Sequence, residues 1–297
     1  RPGINREGTD YSNEGGWFDC DKIRFRSGVP EKIGGWTKKT SNTFLGICRA
    51  MHHFVALDGT LFTGMGTNLK YYIEEGGAFN DVTPLRSTTS AGDVTFSATN
   101  GSAVITASDT DHGAIVNDYV AFTGAASLGG NITAAVLNQE YQITEIVNAN
   151  SYKFTATATA SASDSGNGGG STVGKYQINT GLDTAVAGSG WGAGTWGRGT
   201  WGSSTSLIAA GSTLRLWSHD NFGEDLVMNV RNGGIYYWDR SDSSSSFVRA
   251  VALSDESSDA KTPTIATQIM VSDRDRHVIA FGWDPEDAIG TQDPLLI

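Results

Sequence analysis

The residues whose types and spacing could do chemistry are few. Gly192-Ala193-Gly194-Thr195-Trp196-Gly197 fits the G-x-G-x-x-G pattern, in which a glycine-rich turn brings backbone amides to a phosphate. That chemistry needs a strand before the turn and a helix after it, because the phosphate rests on the helix N-terminus. The flanking residues supply neither. Instead Trp191, Trp196 and Trp201 recur every five residues in Trp-Gly-Ala-Gly-Thr-Trp-Gly-Arg-Gly-Thr-Trp-Gly. Such indoles either plug a glycine-rich loop into a core or a subunit contact, or form a stacking ladder for sugars or bases.

Metal-ligating residue types cluster at His52-His53, Asp19-Cys20-Asp21 and Asp273-Arg274-Asp275-Arg276-His277. Neighbouring histidines on a strand point to opposite faces, so His52 and His53 cannot share one ion there. Asp19/Asp21 and Asp273/Asp275/His277 do fall on one face each. Arg274 and Arg276, however, give the second group the character of a solvated or ion-paired hairpin end. Cys20 and Cys48 are the only cysteines, with no Cys-x-x-Cys pair for zinc or redox work; they either pair in an oxidising compartment or are, as they read here, two small, buried, reduced residues. No G-x-S-x-G elbow is present, and the spacing of a carboxylate pair for glycoside hydrolysis is a tertiary property. No catalytic residue, metal site or cofactor is nominated. The basic segment Lys22-Ile23-Arg24-Phe25-Arg26 alternates, which lines Lys22, Arg24 and Arg26 along one strand face. It is either a wet face or a contact with an acidic neighbouring subunit or DNA phosphate.

The elements that must carry these residues are strands. No stretch of about a dozen residues repeats apolar positions at i, i+3, i+4 and i+7, whereas short β-branched and aromatic runs broken by Gly, Asn, Asp and Ser dominate. Glycine is abundant, 38 of 297 residues, against a usual share of about 7%. Asp58-Gly59 between Phe54–Leu57 and Thr60–Thr63 predicts a type I′ hairpin turn, as does Asn100-Gly101. Asn232-Gly233-Gly234 predicts a turn between Leu226-Val227-Met228 and Ile235–Trp238. A net charge of −11 argues against gripping nucleic acid or an anionic membrane by charge alone. No apolar run approaches the roughly 20 residues that span a bilayer.

Composition divides the chain into three. Residues 1–86 hold 11 basic and 10 acidic side chains, 87–174 hold 1 and 7, and 175–297 hold 9 and 15. The middle block has no Trp and ends in the polar run Ser161–Gly170, so it reads as a small β-barrel or β-sandwich inserted into a larger β domain. The flanking blocks share a four-strand pattern. One copy runs Met51–Leu57, Leu61–Gly64, Leu69–Ile73 and Phe79–Leu85. A second runs Leu214–Trp217, Asp225–Val230, Ile235–Asp239 and Phe247–Leu253, and a third starts at Ile269–Val271 and His277–Phe281. Four strands per unit is the arithmetic of propeller blades. Two and a half blades cannot close a propeller of about four to eight, so a longer polypeptide is expected.

Pro2-Gly3-Ile4-Asn5-Arg6-Glu7, Glu14–Arg26 with its Gly-Gly-Trp-Phe-Asp-Cys-Asp core, and Pro30–Trp36 resemble the N-terminal part of tail nozzle (tail tubular) proteins of short-tailed bacteriophages. The Trp191–Trp201 repeat and the stretch from Phe281-Gly282-Trp283-Asp284-Pro285 through Asp293–Ile297 carry the same likeness. The resemblance covers the flanking blocks. The insert resembles small β domains of phage tail proteins at His112-Gly113 and Asn117–Phe122.

The resemblance implies an all-β fold. Residues 1–86 would hold an N-terminal segment and the first propeller blade, 87–174 an inserted β domain, and 175–297 further blades, truncated because family members are longer. It implies a homohexameric tube below the portal that conducts DNA during ejection and helps retain it before. The partners would be the adaptor or head–tail connector, tail fibre or tip proteins, and DNA passing without sequence-specific binding. It implies a virion location after synthesis in the host cytoplasm, no membrane insertion and no enzyme. Trp17, Trp36, Trp191, Trp196 and Trp201 would serve assembly, with Lys22, Arg24 and Arg26 as a polar contact strip. An acidic wall suits a conduit, since each Lys/Arg–phosphate contact adds affinity where DNA must slide. The rival is a β-propeller carbohydrate-binding or receptor-contacting adhesin. A sialidase comes third: its Asp-box has a Ser-x-Asp-x-Gly-x-Thr-Trp pattern, and Asp58-Gly59-Thr60 has the wrong spacing for it.

Overall fold

A computed structural model describes residues 3–9, 11–35, 37–181, 214–242, 247–257, 259, 261–272 and 274–297. The chain forms two compact units, Arg1–Ser41 and Asn42–Ile297. In the first, β1 (Ile23–Arg26) and β2 (Val29–Lys32) make an antiparallel hairpin that pairs Arg26 with Val29. Its two-residue turn, Ser27-Gly28, has φ of 51° and 80°, the doubly left-handed pattern of a type I′ turn. None of the described residues of this unit is buried.

The second unit begins with a four-stranded antiparallel meander: β3 (Cys48–Val55), β4 (Leu61–Thr67), β5 (Tyr71–Glu75) and β6 (Ala78–Asp81). Then come β7 (Leu85–Thr88), β8 (Thr95–Ala98), β9 (Val104–Ser108), β10 (Tyr119–Thr123), the short helix α1 (Ala134–Leu137), β11 (Glu140–Asn148), β12 (Ser151–Thr155), β13 (Asp164–Asn167) and β14 (Val173–Gln177). These eight strands build one sheet in the order β13-β8-β9-β12-β11-β10-β14-β7. β8 and β10 stand four places apart, roughly 19 Å in a flat sheet at about 4.8 Å per strand. Yet the rings of Phe96 and Phe122, one from each, are 4.9 Å apart. The sheet therefore curls over on itself, around a core that includes Val94, Phe96, Ile105, Phe122, Ile143 and Phe154.

A second meander follows: β15 (Trp217–Phe222), β16 (Asp225–Val230), β17 (Gly233–Trp238) and β18 (Val251–Ala252). The short helix α2 (Leu253–Glu256) leads to β19 (Ile265–Ala266), which also pairs with β17, and to the hairpin of β20 (Gln268–Ser272) and β21 (His277–Phe281). The described residues are thus nearly all β, in several antiparallel sheets. Strand alternation explains how the sheets stack. Leu226 and Met228 of β16 join Phe54, Phe62, Tyr71 and Ile73 in one core. Val227, between them, joins Ile235, Ile269 and Val271 in another. The middle meander is buried on both faces, as successive side chains of a strand point opposite ways.

Two glycines of β4 lie against the second meander. A Cβ on Gly66 would lie 2.4 Å from Cδ1 of Trp217, and one on Gly64 would lie 3.1 Å from Cδ2 of Leu226. Trp217 cannot retreat, because it is buried and its Nε1–H donates to the Thr67 carbonyl at 2.7 Å. Gly66→Ala is therefore expected to lower stability by about 1–3 kcal/mol through overpacking, measured as a shift of the urea midpoint.

Several local expectations are corrected. At Asp58-Gly59 only Gly59 has positive φ, and its N–H donates to Ala56 while Ala56 N–H donates to Thr60. This is a three-residue loop with a left-handed glycine rather than a two-residue type I′ turn. Asn100-Gly101 likewise has positive φ at Gly101 alone, whereas at the 232 turn it is Asn232 that is left-handed, at 57°. The strand expected at Leu214–Trp217 runs instead over Trp217–Phe222, because polar Ser218, His219, Asp220 and Asn221 find partners across the stack. Cys20 and Cys48 are free, as read, but half-buried rather than buried.

Candidate functional site

The densest polar cluster lies where the first meander, the curled sheet and the second meander meet. Lys70 precedes β5, Asp81 closes β6, Glu140 opens β11, Gln177 ends β14 and Arg249 precedes β18. Lys70 Nζ donates to Asp81 Oδ2 at 2.7 Å and to Glu140 Oε1. Arg249 donates to Asp81 Oδ1 at 3.3 Å, to the Thr83 carbonyl at 2.9 Å and to Glu140 Oε2 at 3.0 Å. Gln177 Nε2 also donates to Glu140, and the Tyr119 ring lies 4.4 Å from Lys70 Nζ. The Lys70 side chain is only 3% exposed. Two cations thus face two carboxylates, which offsets their desolvation. Burial pushes the Asp81 carboxyl up, but Lys70 and Arg249 hold it below the usual range. The cluster binds sheets together. Among the described residues it leaves no free nucleophile, and the Asp81 carboxyl is held as an ion.

A second cluster joins β3 to β15. His219 Nδ1 is hydrogen-bonded to the buried Tyr71 hydroxyl, and the ring is also bonded to the Met51 backbone. The His52 ring stands 5.4 Å away, and its Nε2 lies 3.3 Å from Asn221 Oδ1 and 3.9 Å from Asp220 Oδ1. Burial, helped by the neighbouring His52, lowers the His219 pKa from 6.5 to about 4. The fold therefore keeps this ring neutral while the unfolded chain takes up a proton. Stability from His219 is complete above pH 6.5 and is lost as pH falls toward 4, by on the order of 3 kcal/mol. Urea unfolding at stepped pH is expected to show this limb, and His219→Gln to flatten it.

The curled sheet carries an open polar cleft of about 620 Å³ lined by Asp93, Ser108, Asp109, Asn148 and Asn150 among others. Buried Asp109 has its pKa raised by desolvation, and it accepts from the Tyr176 hydroxyl at 2.5 Å. Tyr176 in turn meets the Tyr152 hydroxyl at 2.7 Å. Asp109 thus satisfies a buried hydroxyl chain. Among the described residues no histidine, lysine or cysteine lines the cleft, although His112 stands near enough to Asp109 to oppose part of that rise.

The residues singled out by sequence scatter. Trp17 is 38% exposed with its ring 6.1 Å from Phe25. Arg24 and Arg26 are exposed on β1, where Arg24 Nε pairs with Glu31 across the hairpin at 3.2 Å. Lys22 stands outside the strand, with φ of 57°, and pairs with Asp21 at 3.6 Å. Asp19 and Asp21 precede β1 instead of sharing a strand face, and Arg6 holds the Asp19 carboxyl below its usual range. His52 and His53 do diverge: His53 Nδ1 meets Thr63 Oγ1 at 2.9 Å on the opposite face from His219. Arg274, Asp275, Arg276 and His277 sit exposed at the β20–β21 hairpin end. Trp36, Trp191, Trp196, Trp201, Gly192–Gly197 and Asp273 lie outside the described residues. Among the described residues no three His, Cys, Asp or Glu side chains are grouped to hold a metal. No described helix is long and apolar enough to cross a membrane. Asp284, in the quoted Trp-Asp-Pro motif, is fully buried. Burial pushes its carboxyl up, but bonds from Thr264, Gly290 and Ile265 hold it low, making it a turn-locking residue.

No known family matches the chain, and no curated protein does. Among solved structures the chain is similar to an endosialidase of phage phi92, at 15% identity and a TM-score of 0.25 over 82% of this chain. The matched region is 35% of that protein, so this chain spans about a third of its length. At that level neither fold nor activity passes from one chain to the other.

The junction of Lys70, Asp81, Glu140 and Arg249 is the feature that sequence reading missed. One signal was available: a lysine set inside the apolar run Leu69-Lys70-Tyr71-Tyr72-Ile73 must find a counter-charge if that run is buried.

Proposed function

We propose that the protein is a structural virion component, part of a hexameric phage tail nozzle that conducts DNA during ejection and helps retain it beforehand. The observation that carries this reading is the stack of β-meanders in which β16 buries Leu226 and Met228 on one side and Val227 on the other. Face-to-face stacking of four-stranded meanders is how propeller blades pack. The resemblance of Pro2–Glu7, Glu14–Arg26 and Pro30–Trp36 to nozzle proteins supplies the tail assignment. In this reading residues 1–86 and 175–297 belong to blades and 87–174 to an inserted domain. Trp17, Trp36, Trp191, Trp196 and Trp201, with Lys22, Arg24 and Arg26, contact neighbouring copies or the adaptor, and tail fibre or tip proteins attach further down. A charge of −11 per copy keeps the wall from holding phosphates. Negative-stain imaging and light scattering of the purified protein test it. Six-fold rings or tubes are expected, whereas a monodisperse monomer with saturable oligosaccharide binding would replace this reading with the adhesin one.

A further inference from the structure

We infer that Glu140 is the pin that holds the curled eight-stranded sheet at one fixed angle to the two meanders beside it. The chain enters that sheet through Val82–Leu85 and leaves it through Gln177–Thr180, two antiparallel segments in which Ile178 N–H donates to the Pro84 carbonyl at 3.1 Å. Val82 and Ile178 anchor the meander end of this neck in the meanders' core, and beyond them it is a two-stranded ribbon, which takes a wider range of twist than a larger sheet. The curled sheet has its own core, so it would survive as a folded body while swinging on that neck.

Glu140 stands at the start of β11, inside the curled sheet, where Gln177 of β14 also donates to its Oε2, and each of its oxygens has a cation from outside that sheet. Oε1 takes Lys70 of the first meander, and Oε2 takes Arg249 of the second at 3.0 Å. Asp81, at the entry to the neck, bonds Lys70 and Arg249 but belongs to the first meander, and Asp118 acts differently again. It accepts from Asn179 Nδ2 at 2.6 Å and from Thr180 N–H at 2.7 Å, which ties the outgoing chain to the curled sheet itself. Glu140 is thus the carboxylate that joins three bodies. The Lys70 side chain it meets is 3% exposed, so bulk salt screens this contact far less than it would a surface pair. A carboxylate with two cations from two different sheets has one position that satisfies both, which is what makes it a pin and not a tether. The inference is independent of the proposed tail role, since it concerns the mounting of one sheet on its neighbours.

The test is a distance measurement within the whole chain. Cys20→Ser and Cys48→Ser remove the native thiols, and spin labels are placed at Leu57→Cys, in the exposed β3–β4 loop, and Asn100→Cys, in the exposed β8–β9 turn. Dipolar spectroscopy should give one narrow distance distribution, unchanged at about 1 M salt, where the screening length is about 3 Å. Glu140→Gln is expected to broaden it while near-ultraviolet circular dichroism of the aromatic cores stays native. If Glu140→Gln fails to fold, Glu140→Asp serves, because a carboxylate one methylene shorter cannot reach both cations and must broaden the distribution too. A parent distribution that is already broad, or a distribution that stays narrow in either folded variant, overturns the inference.

Discussion

Lys70→Met is expected to destabilise the protein by about 3–5 kcal/mol, the cost of breaking a buried charge cluster by removing one partner. The reason is geometric. Asp81 and Glu140 each bond Lys70 Nζ, and without it the one cation left to both is Arg249, whose side chain is 29% exposed, their other donors, Thr83 and Gln177, being neutral. Methionine keeps an unbranched side chain of similar length but donates no hydrogen bond and carries no charge over the Tyr119 ring. Urea unfolding with global analysis of both folded bodies reads the loss. Adding Glu140→Gln to Lys70→Met leaves Arg249 with Asp81, one charge of each sign. The double variant should therefore lose less than the sum of the singles, with a coupling of about 0.5–3 kcal/mol. A loss below about 1 kcal/mol for Lys70→Met, the range of exposed pairs, would show that water solvates the junction.

Trp238→Ala comes second and acts by packing rather than charge. Trp238 is fully buried where the first two meanders meet, with ring centroids of Phe54, Phe62 and Phe247 at 6.4, 5.9 and 5.8 Å. Truncation removes a whole indole from rigid sheets that cannot collapse into the space, so a loss of about 3–5 kcal/mol is expected. Among the described residues the indole N–H has no hydrogen-bond partner. Trp238→Phe should therefore be much milder, because it removes an unpaired donor and keeps one ring of the stack. Equal losses from the two substitutions would mean that the N–H is satisfied, contrary to the geometry.

These two sites differ in how far sequence foretold them. Ile235-Tyr236-Tyr237-Trp238 and Leu226-Val227-Met228 are strands in sequence and in structure, because β-branched and aromatic runs bounded by Asn-Gly turns leave little choice. That Val227 would face away from Leu226 and Met228 also follows from the pleat. Which sheet each face meets does not. Lys70 and Glu140 lie 70 positions apart, and nothing local to either names the other. Similarly, Gly66 reads as a weak strand residue until Trp217, 151 positions on, is seen against it.

The polypeptide alone determined an all-β molecule, the positions of most strands in the flanking and middle blocks, the opposite aim of His52 and His53, and the solvated end at Arg274–His277. These depend on turn chemistry and on a two-residue period, both properties of neighbours in the chain. Tertiary structure decided the curl that brings Phe96 to Phe122, the burial of the second meander on both faces, the neutral His219 and the charge cluster around Glu140. Those depend on which distant surfaces exclude water from each other. Desolvation, which sets the cost of a lone charge and the value of a methylene alike, is a property of assembled faces and not of any single strand.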